Sequence, residues 1–249
     1  MSPLTEPTKL TLAKGQPVPN DPYLYTNTVL LLHGDGANGS TNIVDSSRVA
    51  GSPKIVTPVG NAQISTAVAD PFGNSTRGVL AFDGTGDYLA GTTSQADIFN
   101  LPGDFTVESW IYLNSTSGAQ TIAGKWAAGQ QAWIFQLDSS TLFIATGNNG
   151  IFFKISSAAA TWATSTWYHV AATKSGSNIR LFRNGTLIGT DTNTGNATSA
   201  NTISVISVGI NQEGFIAPLN GYIADLRITK GVARYTANFT PPTLPFPDF

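Results

Sequence analysis

Between Thr166 and Gly189 the chain reads Thr-Trp-Tyr-His-Val-Ala-Ala-Thr-Lys-Ser-Gly-Ser-Asn-Ile-Arg-Leu-Phe-Arg-Asn-Gly-Thr-Leu-Ile-Gly. Apolar and polar positions alternate, and turn-forming residues close each run, so the stretch predicts three consecutive strands. Tyr168, Val170 and Ala172 point one way; Trp167, His169, Ala171 and Thr173 point the other. Lys174 to Asn178 supplies the first turn. Asn184-Gly185 supplies the second, because both residues tolerate the positive φ of a tight type I′ hairpin. A chain that must accommodate this antiparallel meander is committed to a sheet with one buried face.

The rest of the sequence repeats the pattern. Strands are expected at Thr28–His33, Val79–Phe82, Tyr88–Leu89, Thr121–Trp126, Ala132–Leu137, Thr141–Ala145, Ile151–Ser156, Ile203–Gly209 and Gly221–Thr229. A long strand over 105–113 would bury Phe105, Val107, Ile111 and Leu113 and turn Thr106, Glu108, Trp110 and Tyr112 to a second, partly covered face. Turn signals recur at intervals of roughly 8 to 12 residues, the spacing of a sandwich or barrel. With 25 Gly, 14 Pro and a 41% hydrophobic fraction, a single all-β domain is expected.

Four blocks carry a family resemblance: Leu80-Ala-Phe-Asp-Gly-Thr-Gly-Asp-Tyr-Leu89, Gly103-Asp-Phe-Thr-Val-Glu-Ser-Trp-Ile-Tyr112, the meander, and Asn220-Gly-Tyr-Ile-Ala-Asp-Leu-Arg-Ile228. In this order they resemble the laminin-G-like domains of the concanavalin A-like lectin and glucanase superfamily. Leu30-Leu-Leu-His-Gly-Asp-Gly-Ala-Asn-Gly-Ser40 and Thr229-Lys-Gly-Val-Ala-Arg-Tyr-Thr-Ala-Asn-Phe-Thr-Pro-Pro242 resemble the flanks of such domains in virion proteins of tailed bacteriophages. The resemblance implies a two-sheet antiparallel jelly-roll sandwich over residues 28–240. It also implies a non-enzymatic virion role, in capsid decoration or as a fibre component, with glycan-binding host adhesion as the alternative.

Pro3, Pro7, Pro17, Pro19 and Pro22 mark residues 1–27 as an extended arm, read either as a disordered tail or as an anchor to other virion proteins in an oligomer or larger assembly. Pro241, Pro242, Pro245 and Pro247 mark residues 241–249 as a C-terminal tail. No secretory signal is read at the N-terminus, so the expected location is a virion made in a host cytoplasm. Thirteen basic and fifteen acidic residues give a charge of -2, without the basic cluster that nucleic acid or an anionic membrane would require. The absence of cysteine excludes disulfides and thiol chemistry.

Catalysis is disfavoured on spacing. Retaining glycosidases need two carboxyls about 5 to 5.5 Å apart, and alternate strand positions meet that separation. Glu108, one of only three glutamates, has Thr106 and Trp110 at those positions. His33 and His169 lack the neighbours of a catalytic triad, and His169 reads as a packing residue. Aspartates at the sandwich rim, Asp35, Asp45, Asp83, Asp87 and Asp225, are candidate calcium ligands, since related domains often hold calcium there; turn capping is the competing reading. Asp225 and Arg227, two apart on one strand, also read as an ion pair. For sugar stacking the candidates are Trp126 and Trp162, with Trp133 between them in sequence, against core or rim packing.

Overall fold

The computed structural model describes residues 24–47, 49, 53–148, 151–192 and 202–248. The arm expected over 1–27 therefore lies outside the described residues up to position 23. A helical turn at Leu24–Asn27 leads into β1 (Thr28–Leu32), followed by β2 (Thr57–Val59), β3 (Gln63–Ser65), β4 (Val79–Asp83) and β5 (Tyr88–Ala90). A 3-10 helix at Thr93–Phe99 precedes β6 (Phe105–Leu113), β7 (Ala119–Ala127), β8 (Gln130–Asp138), β9 (Thr141–Asn148) and β10 (Ile151–Ser156). The meander forms β11 (Trp167–Ser175), β12 (Asn178–Arg183) and β13 (Thr186–Asp191), and β14 (Ser207–Val208) and β15 (Asn220–Lys230) complete the set. Among the described residues no helix is long and apolar enough to cross a membrane.

Two antiparallel sheets result. One has eight strands in the order β13-β12-β11-β6-β15-β4-β3, with β1 also on β15; the other has seven, β10-β9-β8-β7-β14-β5-β2. The alternation read from the sequence sets their facing sides. Phe105, Val107, Ile111, Leu113, Val170 and Ala172 are buried against Ile122, Phe135, Leu137, Leu142, Ile144 and Val208 of the opposite sheet. Burying each large side chain contributes about 1.5–3 kcal/mol, so this layer is the main source of stability. The Asn184-Gly185 turn has φ of 48° and 75°, as a type I′ hairpin requires.

The strand expected over Ile203–Gly209 shrinks to Ser207–Val208. Upstream of it, the chain bonds to the first residue of β8 instead of joining a strand ladder: Ile203 N–H donates to Gln130 Oε1 and Ser204 Oγ to the Gln130 carbonyl.

Part of the outer face of the eight-stranded sheet is also closed, by the chain's own C-terminal segment, while Trp110, Tyr112, Trp167 and Tyr222 on the same face stay half-buried. Thr106, Glu108, His169, Thr173, Arg227 and Thr229 all point away from the second sheet, yet all are buried. Residues 231–248 run across them as a strap. Thr106 Oγ1 donates to the Val232 carbonyl, Thr173 Oγ1 to the Tyr235 carbonyl, and Phe239 N–H to the Gly185 carbonyl. Tyr235 and Phe239 stack with centroids 3.5 Å apart, and both meet His169 edge-on. The tail expected at 241–249 continues this contact: Phe246 is buried, and its N–H donates to Asp225 Oδ2 at 2.7 Å.

Asp225 and Arg227 do not pair with each other. The register with β6 shifts between Ala224 and Arg227, and Asp225 takes a φ of 49°. This bulge breaks the period-2 alternation on which the expected pair rested. Asp225 instead meets His33 Nδ1 at 2.6 Å and Arg77 at 3.0 Å, while Arg227 meets Glu108. His33 Nε2 reaches Asp248 at 2.8 Å, tying the first strand to the end of the strap.

Burial alone would lower the His33 pKa, but the hydrogen bonds and charges of Asp225, then Asp248, outweigh it and raise the value. A raised value stabilises the fold fully below the unfolded pKa of about 6.5, and this stabilisation fades as pH rises through the folded value. Thermal unfolding followed against pH should therefore show a decline above neutrality that is missing in His33→Asn. Independently, Phe246→Ala should cost about 3 kcal/mol in urea unfolding, because it removes a buried ring under the Arg227 guanidinium.

Candidate functional site

Among the described residues no such strap crosses the outer face of the seven-stranded sheet. On β8 and β9 the outward positions Ile134, Phe143 and Ala145 form a small apolar cluster separate from the main core, and half-buried Trp126 packs on it. An apolar floor of this kind on an outer face is what a ring-stacking ligand needs.

A loop after β14 folds over part of this face. Asn211 and Ile216 exchange both backbone hydrogen bonds, Glu213 N–H donates to Asn211 Oδ1, and Thr121 N–H donates to the Ala217 carbonyl. The loop places Glu213 between two side chains of the sheet. Trp126 Nε1 donates to one carboxylate oxygen at 2.7 Å, and Gln131 Nε2 donates to the other at 2.9 Å. Beyond Glu213 the loop exposes Phe215 and Ile216, at 61% and 56%. Phe215 lies against Tyr88 with centroids 5.9 Å apart. Phe215 and Ala217 hold φ of 52° and 53°, a region that residues other than glycine rarely adopt and that costs about 1–3 kcal/mol each. The site thus combines a ring fixed by its N–H, a carboxylate, an amide and an exposed aromatic tip.

The tryptophans read from the sequence separate sharply. Trp126 belongs to this face. Trp162 is only 6% exposed, with Nε1 bonded to the Ser140 carbonyl, Tyr168 edge-on at 4.9 Å and the Arg183 guanidinium over its ring at 5.1 Å. Its faces are occupied, so sugar stacking does not transfer to it. Trp133 lies in the core with Nε1 bonded to the Phe99 carbonyl. Glu213, Phe215 and Tyr88 were not singled out in the sequence. The available signal is the Phe215-Ile216 pair directly after the turn-forming run Asn211-Gln-Glu-Gly214, where core-type residues have no strand to join.

The five aspartates considered as calcium ligands do not converge. Asp35 pairs with Arg77, and Asp225 lies in the His33–Arg77 network. Asp45 is buried and accepts from the backbone N–H groups of Leu31, Ser47 and Lys54. Asp87 accepts from the N–H groups of Asn61 and Asp83, and Asp83 from Asn61 Nδ2 and Thr85 N–H. The Asn61 hydrogen bond, first among its partners, lowers the Asp83 pKa. Among the described residues no group of three or more acidic or histidine side chains could hold a metal. Calcium needs six to eight oxygens facing one point, and these carboxylates face protein donors instead, so the set does not fit the ion.

Glu108 is equally committed. Burial would raise its pKa, but the Arg227 guanidinium, with His169 and the Tyr235 hydroxyl adding to it, holds it down at about 2. Arg227 approaches at 2.7 Å and Tyr235 Oη donates at 2.7 Å, whereas His169 Nε2 lies 3.3 Å away without hydrogen-bond alignment. His33 has both ring nitrogens on carboxylates, which leaves neither for a nucleophile.

Comparison with known proteins agrees with this architecture. A laminin-G-like family model, described as the concanavalin A-like lectin/glucanases superfamily, matches residues 83–234. The chain belongs to that superfamily. No curated protein sequence matches the chain at a significant level. Similar solved structures include the receptor-binding domain of the botulinum neurotoxin C/D mosaic serotype, at a TM-score of 0.60 and 17% identity, covering 83% of this chain and 49% of that one. The receptor-binding domain of botulinum neurotoxin D gives 0.59 and 17%, covering 83% and 50%. The binding domain of botulinum neurotoxin DC in complex with SialylT gives 0.55 and 18%, covering 83% and 48%. The chain spans about half the length of each of these. At such identities the likeness is one of fold.

Proposed function

We propose that this lectin-like sandwich is a non-enzymatic glycan-binding module carried on the virion of a tailed bacteriophage. The observation that carries the binding reading is the outer face of the seven-stranded sheet. There Trp126 lies on an apolar floor, and Glu213 holds its indole N–H and the Gln131 amide. Sugars present apolar C–H faces edged by hydroxyls, so a stacking ring beside a carboxylate and an amide is the complementary surface. The toxin binding domain complexed with SialylT, which shares the fold, supports the same reading. The commitment of Glu108 to Arg227 and Tyr235 supports a role without catalysis.

The virion reading rests on a different observation, the likeness of Leu30–Ser40 and Thr229–Pro242 to virion-protein flanks. In it, residues 1–27 attach the module to other virion proteins and the sandwich faces outward. Proline-rich segments suit this because their unbound ensemble is already restricted.

Each half of the proposal has its own test. On a glycan array, the binding signal should fall about tenfold or more in Trp126→Ala and in Phe215→Ala, since stacking contributes on the order of 1–3 kcal/mol. Undiminished binding in both variants would place the site elsewhere. For the arm, deletion of residues 2–26 should leave the thermal unfolding of the sandwich intact while abolishing incorporation into particles. Normal incorporation of the truncated chain would sink the anchoring role.

A further inference from the structure

A second constellation lies on the inner side of the same strand that carries Trp126. Lys125 is fully buried on β7, and its Nζ donates to Asn100 Oδ1 at 2.8 Å and to the Thr202 carbonyl at 2.6 Å. Asn100, itself buried, follows the 3-10 helix. The Thr202 N–H donates to the same Asn100 Oδ1 at 3.3 Å, and Asn100 Nδ2 donates to Asp97 Oδ1 at 3.2 Å. An amine, an amide carbonyl with a second N–H donor on its oxygen, and a carboxylate on the amide nitrogen are thus assembled in one place.

A lysine that serves only to fill space would ordinarily extend its charge to solvent. Here, among the described residues, no carboxylate forms an ion pair with it, and its hydrogen bonds go to an amide oxygen and a backbone carbonyl. The charged form is accordingly disfavoured. Burial pushes the ammonium down to about 8; the Asp97 charge opposes this and the Lys230 charge adds to it. Such a group holds more of the neutral, nucleophilic amine at neutral pH than an exposed lysine does.

We propose that Lys125 and Asn100 join in an intramolecular isopeptide bond, formed by the protein itself with Asp97 carrying the proton. The Lys125 Nζ lone pair forms a bond to Asn100 Cγ, and the carbonyl electrons move to Oδ1, where the Thr202 N–H receives the charge. Once both nitrogens share Cγ, the proton released by Nζ passes to Nδ2, with Asp97, which accepts from Nδ2 at 3.2 Å, relaying it. The Cγ–Nδ2 bond then breaks, ammonia departs, and a secondary amide remains. Amine plus primary amide gives secondary amide plus ammonia, so no oxidant or cofactor enters the balance. The buried site excludes the water that would compete for the same carbon. The product ties the strand beneath Trp126 to the end of the 3-10 helix.

Intact-mass spectrometry on the purified full-length chain tests this directly. The expected mass is one ammonia below that of the sequence, with a proteolytic fragment in which the Asn100 and Lys125 peptides are joined. Lys125→Arg should restore the full sequence mass apart from the substitution. Asp97→Ala changes an exposed side chain, so it should fold, and should slow bond formation by about tenfold or more. Folded wild-type protein that keeps its full mass after prolonged incubation at mildly alkaline pH overturns the proposal. Ammonia loss that persists in Lys125→Arg overturns it too, because it would then come from cyclisation of an asparagine elsewhere.

Discussion

The closure of the outer sheet face by the C-terminal segment depends on one buried ion pair, Glu108 with Arg227. The two are opposite each other in the register of β6 and β15, on the face that the second sheet does not cover. A carboxylate and a guanidinium taken out of water must satisfy each other and their remaining hydrogen-bonding capacity, or the loss of hydration outweighs their attraction. Tyr235 supplies the missing donor to Glu108, and Phe246 lies over Arg227 at 3.6 Å. Both come from the strap. The pair therefore requires the C-terminal segment to be in place, and the segment, poor in secondary structure of its own, finds in the pair its reason to bind. β15 is the hub, with β6 along one side and β4 then β1 along the other, divided by the bulge at Asp225.

What could be read in the sequence was whatever local periodicity determines. The facing residues of β6 and β11 and the Asn184-Gly185 turn follow from period-2 alternation and from which residues accept positive φ. The strap could not be read that way. Its contacts join residues as far apart as His33 and Asp248, 215 positions, and its prolines suggest only an extended chain. The bulge was hidden for a related reason: alternation assumes an unbroken ladder, and Asp225 leaves it. Among the site residues, Trp126 was identifiable as an aromatic beside a loop, whereas Trp162 had the same local signature and a different fate. What separates them is the Arg183 guanidinium and the Tyr168 ring, which arrive from later strands. Glu213 gave no local cue, since its role is to meet residues 82 and 87 positions away.

The two sheets solve the problem of their outer faces differently, and this bears on function. On the eight-stranded sheet the strap covers Glu108, His169 and Arg227, so that part of the face is spent on stability. On the seven-stranded sheet the cover is the short loop after β14, which leaves Phe215 exposed and the ring of Trp126 half-buried. The exposed Phe215 and Ile216, near half-buried Trp126 and the Glu213 carboxylate, mark a candidate place for a ligand, as exposed apolar surface beside polar groups usually indicates.

Rigidity is the remaining requirement, because a binding surface that must first order itself loses affinity to that ordering. Glu213 fixes the Trp126 ring and the Gln131 amide together, and the paired backbone bonds of Asn211 and Ile216 fix Glu213. The left-handed conformations of Phe215 and Ala217 persist only because that closure over-determines them. Beneath the surface, Lys125 points inward where its neighbour Trp126 points outward, so whatever holds the Lys125 side chain also holds the backbone from which the Trp126 ring projects. A covalent Lys125–Asn100 link would act through one peptide unit on the backbone that carries Trp126, from the inner side of the sheet.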